Sequence, residues 1–336
     1  MQGRLENDLK IKARTEKILK NMPKIVVDYY YTLQVSKEAS TCYSYIVSLK
    51  QFWEFLQENG VKDFRNVDEI IIGKYFAEIA YTNRTGETKQ TSFSHRKTMW
   101  TILNNFFTYL LKKKIIEENP LTFTERPQNV DVLERKFLTV EDLNKILQAV
   151  DEEGGDNLRK KSARELNVVR DKLIISLLMV TGMRRTALTQ INVDDFSIQD
   201  NRLVVTDKRN KTQIYYLTPE IEKLMKEWLQ IRKNYVYHDN VKTDALFINN
   251  SSTRISSQTV YKLVKKYSKE GLGYEISPHK LRAAFTSLYY EASGGDIEAT
   301  RKAVGHANIS TTSIYITQRN DARKEAIEFM TSELNI

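Results

Sequence analysis

The sequence has few of the residues that covalent cross-links and metal sites require. A single cysteine, Cys42, stands among 336 residues, which excludes an intramolecular disulfide and a cysteine cluster for zinc. The four histidines and the acidic residues show no recognisable metal-ligand spacing. We therefore expect a chain of a reducing compartment that uses no metal or cofactor, with Cys42 as a buried structural residue.

Long apolar runs are also missing. No stretch approaches the roughly 20 apolar residues that a membrane-spanning helix needs. The opening residues, MQGRLENDLKIKAR, contain no apolar segment of the kind found in signal peptides. The sequence therefore predicts a cytoplasmic protein of a bacterium or archaeon, with no membrane partner.

Positive charge is in excess. The 52 lysines and arginines outnumber the 43 aspartates and glutamates, giving a net charge of +9 and a pI near 9.2. Such a balance favours polyanionic partners, nucleic acid foremost. Many basic proteins of this size never contact DNA, so sequence motifs are needed to decide whether nucleic acid is the partner.

The length predicts two domains. We divide the chain into a basic arm or helix (1–21), a helical domain (22–120), a linker containing Pro127 (121–136) and a second domain (137–336). Helices are expected after Ser40 or Thr41, after Asp68 and from Ser92 or Ser94, and the polar stretch 82–91 is expected to be a loop.

The second domain is expected to mix helices with a β-hairpin. Thr139 is the predicted N-cap of one helix, and further helices are predicted at about 167–180 and from Pro219 onward. The charged segment 151–166 is expected on the surface. Strands are predicted at 202–206, 212–217 and 245–249. The fold class is therefore mainly α with a small antiparallel β-sheet.

Three clusters of polar residues stand out in this second domain. They are Thr181-Gly182-Met183-Arg184, His279-Lys280-Leu281-Arg282, and Gly305-His306 with Tyr315 nine residues later. Each alone is typical of helix ends, solvated faces or capping turns. Their order and spacing over 180–316, however, resemble the tyrosine recombinase or phage integrase family of the Xer and Cre type.

The resemblance implies six catalytic positions. Arg184, His279, Arg282 and His306 match the family's arginines and histidines, and Tyr315 matches its nucleophile. Lys208 matches the lysine of the β-hairpin, with Lys211 as the alternative, although the family's Gly-Lys-Gly reads Asp-Lys-Arg here. The stretch 185–187 lacks the glutamate that most members carry after the first arginine.

These residue types suit phosphoryl transfer. Two guanidinium groups can stabilise the charge that builds on a phosphate without a metal ion. A histidine can donate a further hydrogen bond, His279 can act as a base for the tyrosine, and Lys208 can protonate the leaving oxygen. The family resemblance thus implies chemistry without Mg²⁺ or ATP.

The resemblance also implies an architecture. A helical core-binding (SAM-like) domain and an α+β catalytic domain would close on double-stranded DNA as a clamp, and four protomers would assemble on it. A helix after Tyr315 would dock into a neighbouring protomer or pack on its own domain. Basic residues of the first domain are expected either to contact the DNA backbone or to be solvated: Arg96, Lys97, Lys112, Lys113 and Lys114.

The predicted function is site-specific DNA recombination through a 3′-phosphotyrosine intermediate and a Holliday junction. It would serve integration or excision of a mobile element, or resolution, with an accessory directionality factor as a candidate partner. Two alternatives stay open: a nicking and closing enzyme resembling type IB topoisomerases, and an inert DNA-binding protein of the same fold.

Overall fold

The chain is described by a computed structural model that covers residues 2–82, 88–128, 138–152, 158–206, 212–238, 243–306, 308–309 and 312–313. Over these ranges the chain is mainly helical with small antiparallel sheets, which confirms the predicted fold class. It divides into two compact units, residues 2–133 and residues 134–336. No described helix combines the length and the apolar character that crossing a membrane requires.

The first unit is a helical bundle with one short strand pair. Its helices and strands are α1 (Gln2–Leu19), α2 (Lys24–Gln34), α3 (Ala39–Glu58), α4 (Glu69–Glu78), β1 (Ala80–Thr82), β2 (Thr88–Gln90) and α5 (Phe93–Lys112). The caps of α4 and α5 are those predicted: the Asp68 side chain accepts from the Ile71 N–H, and that of Ser92 accepts from the His95 N–H.

Aromatic side chains fill the core of this unit. Phe52 of α3 packs against α4 and α5, with its ring centroid 4.8 Å from that of Tyr75 and 6.2 Å from that of Phe107. Phe106 packs edge-to-face on Phe64 at 5.0 Å. Such edge-to-face pairs add specific geometry to the burial of apolar area. Cys42 is buried in the same core, as expected.

Three features of this unit differ from the sequence-based expectations. The N-cap of α3 is Glu38 and not Ser40 or Thr41, and no side-chain hydrogen bond caps the helix. The stretch 82–91, expected to be a loop, contributes to an antiparallel pair in which Ala80 faces Gln90 and Thr82 faces Thr88. Backbone pairing alone defines these strands, since they carry no alternating apolar pattern. The helix α2 had no counterpart in the sequence reading.

The start of the segment predicted as a linker lies against α5. Leu121 is buried in the core of the first unit. The Trp100 indole N–H donates to the carbonyl of Thr124 at 3.3 Å, and Arg126 donates to the Thr101 hydroxyl at 3.1 Å. Residues 129–137 lie outside the described part of the chain.

The second unit combines helices with a three-stranded antiparallel sheet of order β3-β4-β5. Its helices and strands are α6 (Val140–Asp151), α7 (Leu158–Thr181), α8 (Arg185–Leu188), β3 (Phe196–Ser197), β4 (Arg202–Thr206), β5 (Thr212–Tyr216), α9 (Pro219–His238), α10 (Ser257–Leu272), α11 (Pro278–Ala292) and α12 (Ile297–Val304). Thr139 caps α6 in a reciprocal capping box with Asp142.

The C-terminal half of α7 is the centre of this unit. Its residues from Leu173 to Leu178 are all buried, so this stretch is covered on every side. The helix begins at Leu158, which corrects the expectation that 151–166 is only a charged surface segment. The charged residues at its start extend the helix beyond the apolar stretch from which the shorter bounds were predicted.

The apolar stretch 245–249 does not form the predicted strand. It makes only isolated bridges, from Asn192 to Ala245 and from Ile248 to Arg254. Side chains of α9 bind its backbone instead: Trp228 donates to the Leu246 carbonyl at 2.9 Å, and Arg232 donates to the Ala245 carbonyl at 2.8 Å. These bonds satisfy buried carbonyls that a sheet would otherwise pair.

Candidate active site

Arg184 follows a tight turn at the end of α7. Gly182 has a positive φ of 59°, a conformation that costs side-chain-bearing residues free energy. A Cβ atom at this position would lie 2.3 Å from Cδ1 of Phe285 on α11. Glycine therefore permits both the turn and the close approach of α7 to α11, and Arg184 emerges, half-buried, as the N-cap of α8.

Arg282 joins the ends of two helices. Its guanidinium is buried, with Nη1 donating to the Gly182 carbonyl at 2.5 Å and Nη2 donating to the Val304 carbonyl at 2.9 Å. The first carbonyl belongs to the turn after α7 and the second to the end of α12. His279 precedes Arg282 by one helical turn on α11 and is exposed, so both residues lie on one helix face.

His306 lies just beyond the glycine that ends α12. Its side chain is buried, and Nδ1 lies 3.0 Å from the Thr312 hydroxyl. Its backbone carbonyl accepts a hydrogen bond from Arg301 at 2.7 Å. Arg301 is itself fixed by two 2.6 Å hydrogen bonds to the Glu298 carboxylate. His306 is thus held through both its backbone carbonyl and its ring.

The charges of these residues converge. Burial lowers the pKa of His306 to about 4, with further lowering by the positive charges of Arg282, Arg184, His279 and Arg301. Burial likewise lowers the pKa of Arg184, which still remains charged at neutral pH. The structure therefore brings the four predicted residues together: Arg184, His279 and Arg282 lie near the neutral imidazole of His306, and the two guanidinium groups make the arrangement suited to an anion.

Two residues that the sequence reading did not single out belong to this site. Tyr215 and Gln213 lie on β5, opposite the buried residues Leu203 and Val205 of β4. The pKa of Tyr215 is raised by burial, and the positive charges of Arg282 and Arg184 oppose that rise. The signal in the sequence was the two-residue spacing, which places both side chains on the inner face of the strand.

The remaining predicted catalytic residues lie outside the described part of the chain. These are the nucleophile Tyr315 and both hairpin lysines, Lys208 and Lys211, together with the helix expected after Tyr315. The strands that flank the hairpin turn are described, and their last pair is Thr206 with Thr212. The roles of Tyr315, Lys208 and Lys211 stay predictions.

The candidate DNA contacts of the first unit all lie on or just after α5. Arg96 and Lys97 are half-buried near its start, whereas Lys112, Lys113 and Lys114 are exposed at its end. At 1.5 Å per residue the two groups are about 24 Å apart along the helix axis. They form two separate basic patches, of which the second also complements the negative end of the helix dipole.

No group of three or more histidine, cysteine or acidic side chains is placed to hold a metal ion within the described ranges.

Comparison with known proteins points to one family. The model of the phage integrase family matches residues 136–322. The tyrosine recombinase XerC of Caldanaerobacter subterraneus is 29% identical over 313 residues, covering 89% of this chain and 83% of that protein. The XerC of Alcanivorax borkumensis is 30% identical over 237 residues, covering 70% of this chain and 71% of that protein.

Solved structures of recombinases have a similar fold. XerH recombinase bound to palindromic difH in a post-cleavage complex gives a TM-score of 0.66 at 23% identity, covering 86% of this chain and 80% of that one. A lambda integrase dimer bound to a COC′ core site gives 0.61 at 18% identity, covering 88% and 95%. With more than half of its residues matched by the family model, the chain belongs to the phage integrase family of tyrosine recombinases, a family of DNA strand-exchange enzymes.

Proposed function

We propose that this protein is a site-specific DNA recombinase that cuts and rejoins strands through a 3′-phosphotyrosine bond made by Tyr315. The observation that carries the proposal is the convergence of Arg184, His279, Arg282 and His306 from three separate segments of the chain: the turn after α7, the start of α11 and the end of α12. Arg184 and Arg282 are cationic, and together with the two histidines they would stabilise a phosphate bound among them.

The two arginines would hold the scissile phosphate. Arg282 already uses two of its nitrogens on backbone carbonyls, which fixes the plane of the guanidinium. A side chain fixed in this way needs no reorganisation when charge develops on the phosphate oxygens. Arg184, half-buried at the start of α8, would supply the second guanidinium.

His306 would act as a hydrogen-bond donor and not as a base. With a pKa of about 4 the ring is neutral at physiological pH. When the Thr312 hydroxyl donates to Nδ1, the ring proton resides on Nε2 and can be donated to a phosphate oxygen. The contact with Thr312 is compatible with this tautomer.

The covalent step replaces one bond to phosphorus with another. The Tyr315 oxygen forms a bond to phosphorus, and the bond from phosphorus to the 5′ oxygen breaks. The phenol proton passes to His279 or to water, and the 5′ oxygen takes a proton from Lys208 or Lys211. Attack by a 5′ hydroxyl of the partner strand reverses these steps, so the phosphotyrosine bond supplies the energy for rejoining.

Double-stranded DNA with a specific site is the proposed substrate. The net charge of +9 supports it, and so do the DNA complexes of XerH and lambda integrase, whose folds are similar. In this proposal the two units close on the duplex, four protomers exchange their C-terminal helices, and a Holliday junction forms. Resolution of chromosome dimers and excision of a mobile element both fit this chemistry, with an accessory directionality factor as a further partner.

The test is covalent trapping. The protein is incubated with nicked duplexes that carry candidate sites from its own genomic neighbourhood, in EDTA and without ATP, and adducts are resolved on a denaturing gel. We expect an adduct with the wild-type protein and with the control Tyr216→Phe, an exposed tyrosine on β5. Tyr315→Phe should bind DNA without forming it.

Two outcomes would favour the alternatives. Binding without any adduct would support an inert DNA-binding protein. If the protein forms adducts and relaxes supercoiled DNA but never joins two sites, the result would support a nicking and closing enzyme.

A further inference from the structure

The hairpin that carries the candidate acid lysines lies at the edge of its sheet. In the order β3-β4-β5, β5 pairs only with β4 among the described strands. No described strand pairs with its other edge. The position of a lysine among the five residues between Thr206 and Thr212 therefore depends on what else holds the start of β5 against the active site.

Two side chains of β5 provide such a connection. The Tyr215 hydroxyl donates to Oε1 of Gln213 at 2.8 Å. Nε2 of Gln213 makes a long contact of 3.4 Å with the carbonyl of Lys302 on α12. The same amide lies so close to Gly305 that a Cβ there would be 2.7 Å from Nε2. Gln213 thus rests on the residue that immediately precedes His306.

The tyrosine of this pair is fixed in turn. Its ring packs against the core of the second unit. The positive charges of Arg282 and Arg184 act on its phenol and oppose the rise of its pKa. The chain of contacts runs from Tyr215 through Gln213 to the end of α12, and the positive charges of the two arginines act on its Tyr215 end. Gln213 is one residue after Thr212, and residues 207–211, which include Lys208 and Lys211, directly precede Thr212 in the sequence.

We propose that Tyr215 and Gln213 form a positioning pair that registers the lysine-bearing hairpin against the arginines and His306. The proposal rests on the recombinase chemistry proposed above. Without the pair, the arginines and the nucleophile remain intact, but the lysine no longer meets the 5′ oxygen in the right geometry. Protonation of the leaving group then becomes the slow step.

A substrate that needs no protonation distinguishes this role from a merely structural one. In a 5′-bridging phosphorothiolate, sulfur replaces the leaving oxygen, and a thiolate leaves readily without an acid. We expect Tyr215→Phe and Gln213→Met to slow adduct formation about 10- to 100-fold on an ordinary phosphodiester. On the phosphorothiolate both should return to within about threefold of the wild-type rate.

Controls separate the pair from the rest of the strand. Tyr216→Phe makes the same change on the opposite, exposed face of β5 and should leave the rates on both substrates unchanged. The double variant should be no slower than the worse single variant, because two members of one contact chain are not additive. DNA affinity should stay within about twofold of wild type, which places the loss in the chemical step.

Several results would overturn the proposal. An equal defect on both substrates would assign the pair to the arginines and not to the hairpin, and wild-type rates would remove the role altogether. Amide exchange at Thr212 and Gln213 gives a readout without DNA: it should be faster in Tyr215→Phe and unchanged in Tyr216→Phe. Unchanged exchange in Tyr215→Phe would also refute the pair, even if the wild-type protein formed no adduct and the recombinase proposal itself had failed.

Discussion

The guanidinium of Arg282 connects two helix ends through hydrogen bonds to backbone carbonyls. Arg282→Ala leaves the carbonyls of Gly182 and Val304 without their donors in a buried site. We expect the free energy of unfolding to fall by about 2–4 kcal/mol, after part of the loss is offset by reduced repulsion among the neighbouring cations. Urea denaturation followed by circular dichroism measures the change.

Arg282→Lys serves as the companion variant. A single ammonium group cannot reach both carbonyls in the geometry of the guanidinium fork, so we expect an intermediate loss of stability. An unfolding free energy for Arg282→Ala within about 0.5 kcal/mol of wild type would contradict the bridging role, since ordinary surface substitutions produce changes of that size.

The titration of His306 gives a prediction about pH. Its pKa of about 4 in the folded protein lies below the value of about 6.5 in an unfolded chain. Between these values the unfolded state binds more protons, so the free energy of unfolding falls as the pH falls from about 6.5 to about 4. NMR titration of the imidazole resonances should identify one histidine, lost in His306→Gln, with this low pKa.

Binding of DNA should move the same pKa upward. A phosphate between Arg184 and Arg282 would offset the positive charges that now disfavour protonation of the ring. A pKa of His306 that is ordinary in the free protein would show that the cluster is not assembled in solution. A pKa that DNA does not change would show that the phosphate binds elsewhere.

At the scale of elements, the junction between α7 and α11 is the tightest described near the site. Gly182→Ala must strain a positive φ and also displace the Phe285 ring. We expect a loss of unfolding free energy of about 2–4 kcal/mol, compared with about 1 kcal/mol for Gly273→Ala, whose positive φ has open space around it. Thermal unfolding of the two variants measures the difference.

The substitution Phe285→Ala tests why Gly182→Ala should lose more unfolding free energy than Gly273→Ala. If the Phe285 ring is responsible, Phe285→Ala should cost less in the Gly182→Ala background than alone. Equal losses for Gly182→Ala and Gly273→Ala would mean that the backbone alone explains both.

The helices that the sequence predicted are those with clear local signals. Ser92 before α5 and Thr139 before α6 are capping residues that bond backbone N–H groups just downstream. By contrast α2 follows Pro23 without a side-chain cap, and the 245–249 stretch reads as a strand although Trp228 and Arg232 take up its carbonyls. Tertiary partners decide such segments, and no local pattern shows them.

The site likewise contains residues that the sequence could predict and residues that it could not. Arg184, His279, Arg282 and His306 lie in short motifs whose order matches a known family, so the sequence alone could nominate them. Tyr215 and Gln213 reach the cluster only because β5 pairs with β4 and meets the end of α12. That meeting joins residues about 90 positions apart, and the alternation of a single strand does not reveal it.

For the whole molecule, the number of phosphates that basic side chains contact should set the salt dependence of DNA binding. If the basic patch at the end of α5 contacts phosphates, Lys112→Gln with Lys114→Gln should reduce the slope of log K against log salt by about two. Lys223→Gln with Lys226→Gln on α9 removes the same charge elsewhere. Fluorescence anisotropy over a salt series measures both slopes.

An equal reduction for the two pairs would indicate only the general field of the protein. An unchanged slope for the α5 pair would show that these lysines are solvated and take no part in binding.

The bridge that Arg282 makes between two helix ends also bears on the evolution of the scaffold. A descendant that gave up strand cleavage would lose nothing in folding by replacing a residue used for chemistry alone. It would still need Arg282, because the two helix ends depend on that side chain for their hydrogen bonds. Retention of this arginine in a relative is therefore weak evidence of activity. In inactive members, substitutions should appear first at site residues that make no hydrogen bond to a backbone carbonyl.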